Sequence, residues 1–150
     1  MATHASYTLK NVTMSYAAFG GASIDCKNGI AEGGCTIALA EDYGERTAGG
    51  DGSTMWSEYM TSHGTVMLNV MPYSPVYAFF VTLQTAQRAT GSKGSDTMTI
   101  VNKNFSESFT CSAVAIQSIS GETFDKAGNT VRVITLSCGE ISRIGGQGVL

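Results

Sequence analysis

Two histidines, His4 and His63, are the chain's whole supply of imidazole, and the nearest carboxylates before His63 are Asp51 and Glu58. A histidine poised by a carboxylate is the least that general acid–base chemistry needs. His63 sits in Ser62-His63-Gly64, which reads as a hairpin turn, where polar residues occur for reasons of exposure alone. Its distance in sequence from Asp51 and Glu58 adds nothing to that. Glu41, Asp42, Glu45 and Asp51 gather in one glycine-rich stretch. A calcium loop needs oxygens at alternating positions and a closing bidentate Glu, and this spacing lacks both. Gly49-Gly50-Asp51-Gly52-Ser53 has the glycines of a phosphate cradle, but no Lys follows and the next element reads as a strand, not a helix. No Ser stands in GxSxG.

The cysteines are equally unproductive. Cys26, Cys35, Cys111 and Cys138 form no CxxC and have no histidine close by, so no zinc set is expected. Four reduced thiols are the expectation for a cytosolic product, with a Cys26–Cys35 disulfide as the alternative. Tyr7, Tyr16, Tyr43, Trp56 and Tyr59 are not interleaved with basic residues, so they read as core or interface aromatics, not as a stacking platform for bases. The basic residues are scattered, and the net charge of −3 opposes a phosphate-binding surface. The residues supply no catalytic, metal or cofactor set. The chain reads as a non-enzyme.

What must then be explained is a body of 150 residues, 43% hydrophobic and only 14% charged, with 18 Gly and 2 Pro. Such a chain can bury a core and is not disordered. It is expected to be a single domain over 1–150. Low charge and abundant Gly, Thr, Ser and Val suit an all-β fold with many turns, and hint that partners cover the surface. The amino terminus has no basic region followed by an apolar one, and no stretch approaches the roughly 20 apolar residues of a membrane span. Cytosolic synthesis without membrane binding is expected.

Residues 6–19 read as one or two strands, broken at Gly20-Gly21. A weak strand or loop follows around the Asn28-Gly29 turn signal. Cys35–Glu41 alternates cleanly. Residues 42–53 read as a long polar loop of the kind that is functional or mobile, and Thr54–Thr61 as a strand turning at Ser62-His63-Gly64. Val66, Leu68 and Val70 form the apolar face of the next strand. Ser74 is a natural N-cap and Pro75 a natural first helical residue. Val76, Phe79, Phe80 and Leu83 then fall on one helical face, with Arg88 in the last turn and Gly91 as the stop. Tyr77 and Val81 form a second apolar stripe, expected to face a neighbouring subunit or a covering loop. Thr97–Val101, Phe105–Gln117 and Thr130–Ser137 read as further strands, with a loop over 118–129. Gly139–Leu150 reads as a flexible or partner-ordered tail. Roughly seven to nine strands and one helix, about 74–90, predict a mainly β chain: an antiparallel barrel or sandwich with one flanking helix.

The order of these pieces resembles that of the tail tube proteins of contractile-tailed bacteriophages. The likeness runs through IALAEDYGERTAGGDGSTMWSEYMTSHGTVMLNVMPYSPVYAFFVTL, with Ala115-Ile116-Gln117 and TVRVITLSC as late strands, over roughly residues 6–140. The resemblance implies a structural subunit whose hexameric rings stack into a hollow tube. DNA would pass through its lumen at ejection, a tape-measure protein would occupy that lumen, and a contractile sheath would surround the tube. It implies location in the virion tail, after assembly in the host cytoplasm. On that reading Asp42, Tyr43, Glu45, Arg46 and Asp51 are candidates for the contact between rings, Tyr77 and Val81 for contact between subunits, and Glu58, Asp96 and Glu107 for the lumen. A ring protein of a contractile secretion system or a bacteriocin tube is the alternative. A small-ligand-binding β-barrel also fits the strand count.

Overall fold

The computed structural model describes residues 6–19, 21, 23–27, 29–120, 124, 126 and 131–145. A 3-10 turn at Leu9–Asn11 leads into β1 (Val12–Ala17), β2 (Ser23–Asp25), β3 (Ile30–Leu39), β4 (Gly44–Ala48), β5 (Thr54–Glu58) and β6 (Gly64–Val70). The helix α1 (Pro75–Thr90) follows, then β7 (Asp96–Asn102), β8 (Glu107–Ser120), β9 (Arg132–Cys138) and β10 (Glu140–Gly145). His4 and Asn28 lie outside the described residues, as do 146–150.

Eight strands form one antiparallel sheet in the order β2-β1-β7-β8-β9-β6-β3, with β10 also on β8. The long strand β8 joins two layers. Its first half lies between β7 and β10, and its second half pairs with β9. The change falls at Ala113, which takes φ 52, opposite Gly139. A Cβ on Gly139 would stand 2.8 Å from the Ala113 side chain, so the bend needs glycine there. The two layers close on one apolar core drawn from both: Met14, Tyr16, Met98 and Ile100 from one, Val66, Leu68, Val70, Ile134 and Leu136 from the other. Among the described residues β2 and β3 do not pair, so the sheet is a bent sandwich and not a hydrogen-bonded closed barrel.

Local sequence sets the best-formed elements. The buried residues of β6 are alternate ones, Val66, Leu68 and Val70, as its period of two requires. The Ser74 hydroxyl accepts from the Val76 amide at 3.2 Å, Pro75 occupies the first helical position, and Gly91 closes the helix at φ 72 with its N–H on the Gln87 carbonyl. Val76 and Phe80 are buried, and Phe79 and Leu83 pack against the core beside them. Tyr16 meets the rings of Phe79 and Phe80 edge to face, at 6.1 and 4.8 Å between centroids.

Four expectations are corrected. Residues 44–48 are a strand, β4, within what reads as a loop; its partner is β5, so Ser62-His63-Gly64 does not join β5 to β6 in a hairpin. β4 hid because both its faces are polar and exposed, which leaves no alternation to detect. Residues 140–145 are not a loose tail: they form β10, fixed by its ladder to β8 and by burial of Ile141. β3 begins at Ile30, five residues before the alternating stretch at Cys35–Glu41, and its register on β6 shifts between Ile30 and Cys35. β8 continues to Ser120, into the expected 118–129 loop.

Candidate assembly surfaces

β4 and β5 form a two-stranded sheet of their own, separate from the eight-stranded body. Register pairs Arg46 with Trp56 and Thr47 with Met55. The Arg46 guanidinium lies 5.6 Å over the indole and donates to the Thr54 hydroxyl at 3.1 Å. Gly44 makes room for that ring, since a Cβ there would meet the indole at 2.7 Å and the Ser57 carbonyl oxygen at 2.4 Å. The turn is closed by the Gly49 amide on the Ser53 carbonyl at 2.7 Å. Ser53 donates to Asp51 Oδ1 from its amide at 3.0 Å and from its hydroxyl at 2.5 Å. Those bonds hold the Asp51 carboxyl below its usual range. At the base the Tyr59 amide donates to the Tyr43 carbonyl at 2.8 Å, and partial burial together with Glu45 pushes the Tyr59 phenol up. The expected contact residues Tyr43, Glu45, Arg46 and Asp51 therefore share one hairpin, with Asp42 at its root. Its large side chains Tyr43, Met55, Trp56 and Tyr59 are exposed, and so is Met60 just beyond it.

The hairpin is rooted where β3 ends and β6 begins. The Ala40 amide donates to the His63 carbonyl at 3.1 Å and the Ile141 amide to the Ser62 carbonyl at 3.0 Å. His63 is an exposed part of this root. At the other end of the β3–β6 ladder, where Ile30 pairs with Val70, a groove of about 430 Å³ opens between the start of β1 and the turn into β3. Val12, Met14 and Ile30 line it, with Lys10, Lys27 and Tyr73 around it. Sequence reasoning did not find this groove, because its walls come from segments far apart in the chain.

The helix face is partly covered from within the chain. Arg132 is buried, its guanidinium 5.7 Å from the half-buried Tyr77 ring and 5.5 Å from that of Phe124. Val81 is 37% exposed. The three lumen candidates part company. Glu58 is exposed at the end of β5, and Glu107 is half-buried, accepting from the Asn102 side-chain amide at 2.9 Å. Asp96 is 1% exposed and cannot line a lumen. Its carboxyl accepts from the Tyr16 hydroxyl, from the Gln87 side-chain amide at 2.7 Å and from the Phe19 amide at 2.8 Å, tying β1, β7 and the end of α1 together. Burial and the Asp96 bond push the Tyr16 phenol up.

All four cysteines are free thiols, and burial pushes Cys26 and Cys35 up to about 12, far from a reactive thiolate. Among the described residues no three His, Cys, Asp or Glu stand together as a metal set, and no helix is long and apolar enough to cross a membrane.

A family described as bacteriophage PhiTE tail tube protein matches residues 1–146. No curated protein matches the chain. Among solved structures, the chain resembles one from the sheath-tube complex of the extracellular contractile injection system PVC, in its extended state. The TM-score is 0.58 at 12% identity, over 92% of this chain and 90% of that one. A chain of the anti-feeding prophage tube-terminating cap gives 0.59 at 13% identity, over 97% and 95%. One of the anti-feeding prophage baseplate gives 0.59 at 18%, over 97% and 98%. At these identities the likeness is one of fold.

Proposed function

The chain belongs to the bacteriophage PhiTE tail tube protein family and is a structural subunit of a tail tube, and from that premise we propose how it assembles. Six copies form a ring, and rings stack through the β4–β5 hairpin into a hollow conduit. A contractile sheath encloses the tube in the virion. A tape-measure protein and then DNA occupy the lumen, and assembly takes place in the host cytoplasm. The observation that carries this reading is the hairpin itself. A two-stranded sheet is marginal alone in water, yet this one stands apart from the body with Trp56, Met55 and Tyr43 exposed. Such a surface suits burial against another molecule.

Charge agrees with passage of DNA. A conduit must not hold phosphates, and a chain of net charge −3 with scattered basic residues suits a neutral or acidic lumen. Glu58 and Glu107 remain lumen candidates. Val81 and the outer edge of Tyr77 would meet a neighbour within the ring. A tube of a contractile injection system is the second reading, favoured by the solved structures of similar fold. DNA inside purified particles would separate the two.

Negative-stain microscopy of the purified chain tests the assembly. The wild type is expected to give rings and stacked tubes, and a variant lacking residues 44–50 rings or free subunits only. Full-length tubes from that variant would overturn the role of the hairpin. A wild type that stays monomeric at high concentration would overturn the ring itself.

A further inference from the structure

We propose that the groove between the start of β1 and the turn into β3, bordered by Lys10, Lys27 and Tyr73, is the socket for the β4–β5 hairpin of the next copy of this chain. The inference rests on the stacking role given to the hairpin and names the surface that receives it.

Polarity is the first argument. The β3–β6 ladder has Leu39 opposite Gly64 at one end and Ile30 opposite Val70 at the other. The six steps from Gly64 to Val70 separate those ends by about 20 Å. The hairpin is rooted at the first end and the groove opens at the second. A projection and a recess on opposite ends of one subunit make a heterologous pair. Repeated by translation, such a contact does not close on itself and generates a stack.

The surfaces also match in chemistry. Val12, Ile30 and the edge of the buried Met14 give the groove an apolar floor within a mixed lining, and its volume of about 430 Å³ has room for large side chains. The hairpin offers Met55 and Trp56, with Met60 at its root, all exposed. Methionine adapts to an irregular recess, and an indole contributes the area and rigidity found at the energetic centres of interfaces. Charge gives the pairing a direction. Between residues 41 and 59 stand Glu41, Asp42, Glu45, Asp51 and Glu58, with Arg46 the single basic residue, so this segment is more negative than the whole chain. Lys10 and Lys27, both exposed, border the groove. Opposite charges around an apolar contact speed the encounter and fix its register.

Cross-linking of the full chain tests the socket. A photoreactive benzophenone amino acid replaces Met60, whose side chain is fully exposed. Tubes are assembled from an equal mixture of light and heavy-isotope chains, irradiated, digested and mapped by mass spectrometry. The expected result is mixed-isotope adducts on residues 9–14, 26–30 or 73. Mixed-isotope adducts only elsewhere would overturn the socket and leave the hairpin's stacking role standing. Adducts only within one chain, or none, would overturn both. A second variant, Lys10→Glu with Lys27→Glu, is expected to shorten tubes at low salt at least about tenfold while rings persist. Adding Glu41→Lys, Asp42→Lys and Glu45→Lys to the same chain is expected to restore length. Tubes unchanged by the lysine reversal, or a small molecule found by native mass spectrometry to fill the groove within intact tubes, would overturn the proposal.

Discussion

The body and the β4–β5 hairpin place their large side chains in opposite ways. In the body, Phe80, Tyr16, Leu68 and Met98 are fully enclosed, and the Asp96 carboxyl has three donors. In the hairpin, Trp56 is 50% exposed and Met55 more so. One region has a core closed by its own chain, and the other has no core of its own. The lesson is that the body encloses its largest side chains around one core while leaving others such as Phe19 and Ile144 at its surface, whereas the hairpin encloses none of its own.

Substitutions can break that contrast, and the largest effect is expected in the body. Phe80→Ala empties a closed site and is expected to cost about 3–5 kcal/mol, lowering the melting temperature by about 10 °C. Assembly would fail with the fold, as denaturant titration beside microscopy would reveal. Asp96→Ala leaves the Tyr16 hydroxyl, the Gln87 amide and the Phe19 amide without their acceptor. It is expected to cost about 3 kcal/mol, and Asp96→Asn less, by the same titration. Ser74→Ala removes the cap of α1 for about 1 kcal/mol, visible as a small drop in the melting temperature. Trp56→Ala is expected to change the stability of the isolated subunit by less than about 0.5 kcal/mol, yet to shorten tubes seen by microscopy. A loss of stability from Trp56→Ala as large as that from Phe80→Ala would mean that the hairpin belongs to the core after all.

Much of the body is legible in the sequence. The Ser74-Pro75 start, the Val76/Phe79/Phe80/Leu83 face and the Gly91 stop define α1, because capping and helical period act within a few residues. β6 and β9 are legible for a similar reason: one face of each is buried, so their apolar residues alternate. β4 and β10 are not. Gly44–Ala48 has no buried face, and Glu140–Gly145 gains its order from a ladder to β8. Asp96 misled for the same reason: an acid beside a loop reads as exposed until Tyr16, Gln87 and Phe19 converge on it.

The sequence by itself determined that the chain is mainly β with one capped helix, that its histidines, cysteines and serines fall in no familiar catalytic motif, and that five of its acidic residues gather between 41 and 59. Those properties depend on residue type and on neighbours a few positions away. Only the tertiary structure decided that β8 bends at Ala113 to join two layers, that Asp96 is a core residue, and that hairpin and groove lie at opposite ends of the β3–β6 ladder. Each of these needs segments distant in sequence to meet, and a contact of that kind leaves no periodic trace in either partner alone.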